Sequence, residues 1–284
     1  MFIDTHCHLY PEYKFVTLDP DKIVLESIKN GVTDIWLAST EKADIEWNLN
    51  FCKKYPNNLK SWVGWHPEQY LSYNNNFLAS ILKKYSNQIL DSSALPQNDN
   101  QKENTKNKIL AAKNSFIVGI GEIGLDFAVH AKSTQKDQVK VFESQLILAQ
   151  KYKMPVAIHC RDAFEETLNV LSKYKDLKIL WHCFNLQKDQ TKQLLKVLPQ
   201  VYIALNSIFT YKSGAYIGES LELVDLSKIV LETDSPFLTP RPFKYSFNTP
   251  EGVIRVYLSL ADKLNLKIED LQKTVRINCN SLNN

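Results

Sequence analysis

The chain opens with Asp4-Thr5-His6-Cys7-His8-Leu9. Along an extended strand, residues i and i+2 share a face. His6 and His8 can therefore reach one metal ion together, with Asp4 one step below them. Further ligand-type residues close apolar runs. His159 follows Pro155-Val156-Ala157-Ile158, His182 follows Lys178-Ile179-Leu180-Trp181, and Asp234 follows Ile229-Val230-Leu231-Glu232-Thr233. Glu122 lies inside the Gly-rich run from Val118 to Asp126, and His66 closes Val63-Gly64-Trp65. Five of the six histidines thus fall where a buried cluster would place them; His130 reads as a surface residue. Imidazoles and carboxylates suit Zn, Mn, Ni or Fe, and carboxylate with water also suits Mg. His6, His8, Glu122, His159, His182 and Asp234 are too many for one tetrahedral structural zinc. They suit two divalent ions (Zn, Mg or Mn) about 3.5–4 Å apart with a carboxylate between them, which is the chemistry of metal-assisted hydrolysis.

Such residues need a scaffold that gathers strand ends. Apolar runs predict strands at 2–8, 32–39, 59–66, 116–122, 155–160, 178–184, 200–206 and 228–234. Helical patterns fall between them at 20–30, 41–55, 75–86, 135–153, 162–174, 187–197 and 215–225, with two more near 250–264 and 268–276. Alternation of this kind predicts an α/β fold with a parallel sheet, and eight strands favour a (β/α)8 TIM barrel. Catalytic groups in such barrels lie at the C-terminal strand ends. His6, His8, Glu122, His159, His182 and Asp234 all fall at that end. The reading is one domain over 1–284, interrupted at 86–114 by a polar insertion. Its centre, 96–108, has no apolar residue, so it cannot bury enough surface to offset the entropy of ordering.

Gly119-Ile120-Gly121-Glu122-Ile123-Gly124 matches the spacing of a dinucleotide loop. That motif must follow a strand and open a helix. Here the pattern itself reads as strand, and its glycines fit close backbone approach at a bending barrel strand.

The 284 residues carry a net charge of +3. There is no strong polyanion-binding signature, although a phosphate site needs only a local positive patch. The five cysteines are an odd number without CxxC spacing, as in a reduced, cytoplasmic protein. Cys7, Cys160 and Cys183 each follow or adjoin a candidate ligand, and alternation turns them toward the strand–helix layer. The N-terminus reads directly into a strand without a signal-peptide pattern, and no run approaches a membrane span. A monomer is expected, with no obligate protein partner.

The chain closely resembles the TatD family of metal-dependent deoxyribonucleases, in the amidohydrolase superfamily. The matching motifs are DTHCHL (4–9), VGWHP (63–67), GEIGLDF (121–127), PVAIHCRDA (155–163), HCF (182–184), ETDSPFLTPRP (232–242) and Asn278. The resemblance implies a TIM barrel with a divalent-metal site and hydrolysis of DNA phosphodiesters, typically as a 3′–5′ exonuclease on single strands or 3′ ends. Carried over, His6 and His8 bind one metal, Glu122 bridges, His159 and His182 hold the second, and Asp234 binds beside the nucleophilic water. Some relatives are associated instead with removing D-amino acids from charged tRNA, so a D-aminoacyl-tRNA deacylase or another ester or amide hydrolase is the alternative. Asn185-Leu186 after HCF and the run from Phe243 to Pro250 depart from the family's usual residues.

As catalytic groups we expect Asp234 to accept the water's proton, Glu122 to bridge, and His66 to contact phosphate or protonate the leaving group. Arg161 and Arg241 are candidate phosphate clamps, because a guanidinium fork matches that anion. Asp4, Asp126 and Glu232 read as groups that orient ligands. Trp65, Phe184 and Phe237 read mainly as packing residues near the mouth.

Overall fold

The computed structural model describes residues 1–11, 19–90, 116–128, 134–244 and 246–283. The apolar runs form β1 (Phe2–Cys7), β2 (Val32–Leu37), β3 (Leu59–Trp62), β4 (Ile117–Asp126), β5 (Val156–Arg161), β6 (Ile179–Trp181), β7 (Tyr202–Leu205) and β8 (Ile229–Leu231). Neighbours pair in parallel, in chain order from β1 to β8. A parallel bridge between Cys7 and Ser235 brings the last strand back to the first. Asp234 N donates to His6 O at 2.9 Å, and His8 N to Ser235 O at 2.7 Å, across the same seam. The architecture is a (β/α)8 TIM barrel.

Helices cover the outer face: α1 (Pro20–Lys29), α2 (Lys42–Lys54), α3 (Asn75–Leu90), α4 (Gln135–Tyr152), α5 (Phe164–Leu171), α6 (Lys188–Val197), α7 (Ile217–Leu221), α8 (Val253–Leu264) and α9 (Ile268–Asn283). Local chemistry fixes their starts. Asp19 caps α1 by accepting from Lys22 N, with Pro20 in the first turn. Glu41 and Asp44 form a reciprocal capping box on α2. Parallel strands covered on both faces are apolar throughout, and all ten residues of β4 are buried. Trp36, Trp62, Trp65, Trp181, Phe142 and Tyr257 are among the largest fully buried side chains.

The glycines of β4 are packing devices. A Cβ on Gly121 would lie 2.7 Å from the Ala157 Cβ on β5. At Gly124, with φ of +148°, a Cβ would collide with the His159 carbonyl. The resemblance to a dinucleotide loop has no helix behind it, because β4 runs on through Asp126.

Two boundaries differ from expectation. β3 ends at Trp62, and His66 begins a 3-10 turn, Pro67–Ser72, as its N-cap. Glu122 lies within β4, at a register irregularity against β5 between Ile120 and Ile123, rather than at a strand end. The expected insertion overlaps α3 up to Leu90, and its remainder lies outside the described residues, as do His130 and Tyr245. Among the described residues, no helix is long and apolar enough to cross a membrane.

Candidate metal centre

Five histidines from four strand ends or loops converge on the Glu122 carboxylate. Oε2 lies 3.3 Å from His6 Nε2 and 3.6 Å from His8 Nε2. Oε1 lies 2.7 Å from His159 Nδ1, 3.4 Å from His182 Nε2 and 3.7 Å from His66 Nε2. The carboxylate therefore divides its two oxygens between two sets of imidazoles. Asp234 faces it from across the barrel. Its Oδ1 is 3.5 Å from His8 Nε2 and 3.9 Å from both His6 and His182 Nε2. Asp234 holds a left-handed backbone at φ of +55°, a conformation that aspartate tolerates better than most residues. Strain of this kind is stored where the surrounding structure enforces it.

Two of the imidazoles, His159 and His182, are aimed by a carboxylate behind them. Asp126 Oδ2 is 3.0 Å from His159 Nε2, and Glu232 Oε2 is 3.0 Å from His182 Nδ1. Glu232 Oε1 also accepts from Cys183 N and from Asn206 Nδ2. These contacts fix ring orientation and tautomer. Asp4, one step below His6 on β1, accepts from His6 N and, across the seam, from Thr233 N and Thr233 Oγ1, tying β1 to the segment after β8. Burial pushes its carboxyl well above the usual range.

Two glutamines of α4 belong to this framework, and motif reading passed over them. Gln145 accepts from Trp65 N and donates to Trp65 O, just before His66. Gln138 does the same for the backbone of Asp126. They lie seven positions apart on one helix face, beside apolar Phe142 and Leu146. A polar pair on a buried face was the available signal.

Electrostatics separate the imidazoles. Burial and the neighbouring His159 charge press His66 down to about 3. Its Nδ1 accepts from Glu68 N, which leaves the proton on Nε2. Burial opposes charge at His159 as well, yet Asp126 and Glu122 override it and raise that group to about 9. At His182, Glu232 and Glu122 likewise overcome burial and raise it to about 10. Glu122 stays well below the ordinary carboxylate range; burial works against this, and the charges of His182, His66 and His6 prevail.

The donor set fits divalent metal. His6 is fully buried, and neither ring nitrogen has a hydrogen-bond partner, an arrangement that costs free energy unless an ion takes the lone pair. His6, His8 and Glu122 can converge on one ion, as can His6, His182 and Asp234, or His66, Glu122 and His159. Ligation requires neutral imidazole. His159 and His182 carry protons at pH 7 in the metal-free protein, since both titrate above it. Loading with Zn at pH 7 is therefore expected to release protons, and fewer as pH rises toward 10. Calorimetry in buffers of different ionisation enthalpy measures this; metal uptake without proton release at pH 7 would contradict it.

The remaining expected site residues are dispersed. Arg161 ends β5 exposed and forms no ion pair with Asp162 among the described residues. Arg241 is exposed beside a separate cavity. Trp65 and Phe184 are buried in the core, while Phe237 is 39% exposed with its ring 6.3 Å from that of His8. Asn278 donates to Leu226 O and Ile229 O, anchoring α9 to the start of β8 away from the centre. Cys7 points at Trp36 O in the strand–helix layer, and burial raises the Cys160 thiol to about 11. Cys183 differs. β6 has already ended and φ is +48°, so alternation no longer applies and its Sγ lies beside His182 and Glu232. Burial raises its thiol pKa well above the ordinary value. The unusual run after Arg241 is anchored: Asn248 Nδ2 donates to Thr233 O and Leu238 O, on either side of Phe237.

Residues 3–284 match the model of a family described as TatD related DNase. An uncharacterized metal-dependent hydrolase of Mycoplasma genitalium is 26% identical, over 99% of this chain and 98% of that protein. A human protein named 3′-5′ RNA nuclease TATDN2 is 36% identical over 48% of this chain, which corresponds to 18% of its own length. The crystal structure of YJJV, a TatD homologue from Escherichia coli, superposes with a TM-score of 0.77 at 21% identity, covering 99% of this chain and 97% of that one.

Proposed function

The chain belongs to the TatD-related DNase family and is a metal-dependent hydrolase, and from that premise we propose that it removes nucleotides from the 3′ ends of DNA. The observation that carries this reading is the divided carboxylate of Glu122, with Asp234 across from it. We read His6, His8, Glu122, His159, His182 and Asp234 as ligands for two divalent ions. Ions held there would supply a water acidic enough to lose its proton near neutral pH, and positive charge opposite the phosphate.

The protein's own groups do the rest. Asp234 orients the water and takes its proton at Oδ1, being held in its charged form; burial opposes this, and the hydrogen bond to His8 and the charge of His182 prevail. Attack forms a new P–O bond in line with the departing sugar oxygen, whose bond to phosphorus breaks and which is reprotonated from solvent. His66 is neutral at pH 7, so it acts through its Nε2–H on a phosphate oxygen and not as a charged acid. Asp126 and Glu232 keep His159 and His182 in register. The polarity rests on likeness to the relative named as a 3′-5′ RNA nuclease. The enzyme acts as a cytoplasmic monomer in this reading.

The test uses single-stranded DNA and RNA, each labelled at the 5′ or the 3′ end, with Mg, Mn or Zn and with EDTA. Progressive shortening of 5′-labelled DNA, abolished by EDTA, is expected. Metal-loaded protein that leaves both DNA and RNA intact but cleaves a D-aminoacyl-tRNA ester would replace the nuclease reading with the deacylase one.

A further inference from the structure

A cavity of about 310 Å³ lies outside the ligand set, lined by segments that follow β7 and β8 and by a helix. Three elements wall it: the 3-10 turn Ser207–Thr210 after β7, the segment Pro240–Arg241 after β8, and one face of α8 carrying Arg255, Ser259 and Asp262. Positions 255, 259 and 262 are spaced i, i+4 and i+7, so they form a single stripe along the helix. Arg241 and Arg255 thus reach one concavity from unrelated elements. Neither arginine has an ion-pair partner among the described residues, and nor does Asp262. The chain has only four arginines, so two in one cavity is a concentrated feature.

Two unpaired arginines on an open convex surface would be solvated ends and nothing more. Here they line one hollow together with Ser207, Thr210 and Ser259, of which Ser207 and Thr210 donate their hydroxyls to the Leu238 and Ser207 carbonyls. The chemistry is that of a phosphate accompanied by a hydrogen-bond donor. Planar guanidinium groups match phosphate oxygens. A lone carboxylate repels a second phosphate and accepts from a sugar hydroxyl or a base amine. A nucleotide unit offers both.

The cavity is also coupled to the centre through the chain. Asn206 donates to Glu232, which holds His182, and the next residue, Ser207, lines the cavity. Ser207 Oγ in turn binds the Leu238 carbonyl. From Asp234 outward, the segment presents Phe237, partly exposed with its ring near His8, and then Arg241 in the cavity wall. An aromatic face between two anion sites is the layout of a single-strand path, where bases stack and phosphates meet cations.

We infer that Arg241 and Arg255 form a second phosphate subsite, which grips a phosphate that is not being cleaved and so makes the enzyme prefer a strand over a single diester. The inference rests on the nuclease reading above. It assigns Arg255 a role that no motif marked, and gives Arg241 a place one step away from the reacting phosphate.

The experiment compares metal-loaded wild type with R255Q, R241Q and R255K, on a short single-stranded DNA and on bis(p-nitrophenyl) phosphate, which carries only one phosphate. Loss of one charged phosphate contact is expected to raise KM for the oligonucleotide about tenfold or more. The loss on the small diester should be several-fold smaller, and kcat on DNA should change less than KM. Each removed contact should also flatten the dependence of log KM on log salt by about 0.7. R255K should keep most of the salt slope and recover part of the KM, since it retains charge without the fork. Both side chains are exposed, and thermal melting confirms that the variants fold. Wild type that cleaves DNA while R255Q and R241Q match it in KM and salt slope would overturn the subsite alone. Equal losses on both substrates would overturn it too, by moving the arginines to the reacting phosphate. Wild type that cleaves the small diester but no DNA would overturn the nuclease reading, and the subsite with it.

Discussion

Asp234→Asn is expected to reduce kcat on DNA by about 10²- to 10⁴-fold, the usual contribution of a positioned general base, while the barrel remains folded. The fold should survive for local reasons. The backbone contact from Asp234 N to His6 O does not involve the side chain. Asparagine also tolerates the left-handed conformation that this position holds, at φ of +55°. The amide keeps the size of the carboxylate and gives up its charge and its capacity to accept a proton. Oδ1 at 3.5 Å from His8 is the atom at stake. Steady-state kinetics with a melting curve and a metal assay check this. A variant retaining more than a tenth of wild-type kcat would falsify the base assignment. A variant that folds but has lost metal would make Asp234 chiefly a ligand.

Glu122→Ala should lower the metal content from two ions per chain to one or none. No other group in the centre approaches five histidines: His6 and His8 on one oxygen, His159, His182 and His66 on the other. Mutating a group that only orients a ligand costs about 10- to 100-fold in metal affinity, so removing the shared carboxylate should cost more. Asp126→Asn supplies the comparison, because Asp126 touches His159 from behind. Elemental analysis after dialysis reads both variants. Two ions still bound to Glu122→Ala would exclude a bridge. The variant carries an internal control as well. Without Glu122, the influences that raise His159 and His182 are weakened, so metal loading at pH 7 should release fewer protons than in wild type.

Much of this centre is legible in residue order, because a parallel barrel converts apolar runs into strands and gathers their C-terminal ends. His6, His8, His159, His182 and Asp234 follow from that rule alone. The same rule reads Glu122 as the end of a strand over 116–122, whereas β4 runs on to Asp126; its ten buried residues give no signal of where the strand stops. His66 was placed on a strand because Val63 and Trp65 look like one, whereas the chain leaves β3 at Trp62 and then caps a 3-10 turn. Gln138 and Gln145 were invisible as site residues because their partners are backbone atoms, which carry no side-chain pattern. Asp4 shares the period of His6 and His8 but is claimed by Thr233, a contact that no local spacing announces.

The seam between β1 and the end of β8 has a consequence in time. Asp4 and Thr233 are 229 positions apart, and the hydrogen bonds that join them also bring Asp234 beside His6 and His8. A ribosome adding about 5–20 residues per second therefore exposes the two leading histidines roughly 10–45 s before Asp234 is made. During that interval the growing polypeptide displays an incomplete ligand pair. A chain halted before Asp234 carries the leading histidines and lacks the carboxylate that faces them in the finished barrel, so the full donor set exists only once the last strand has closed the ring.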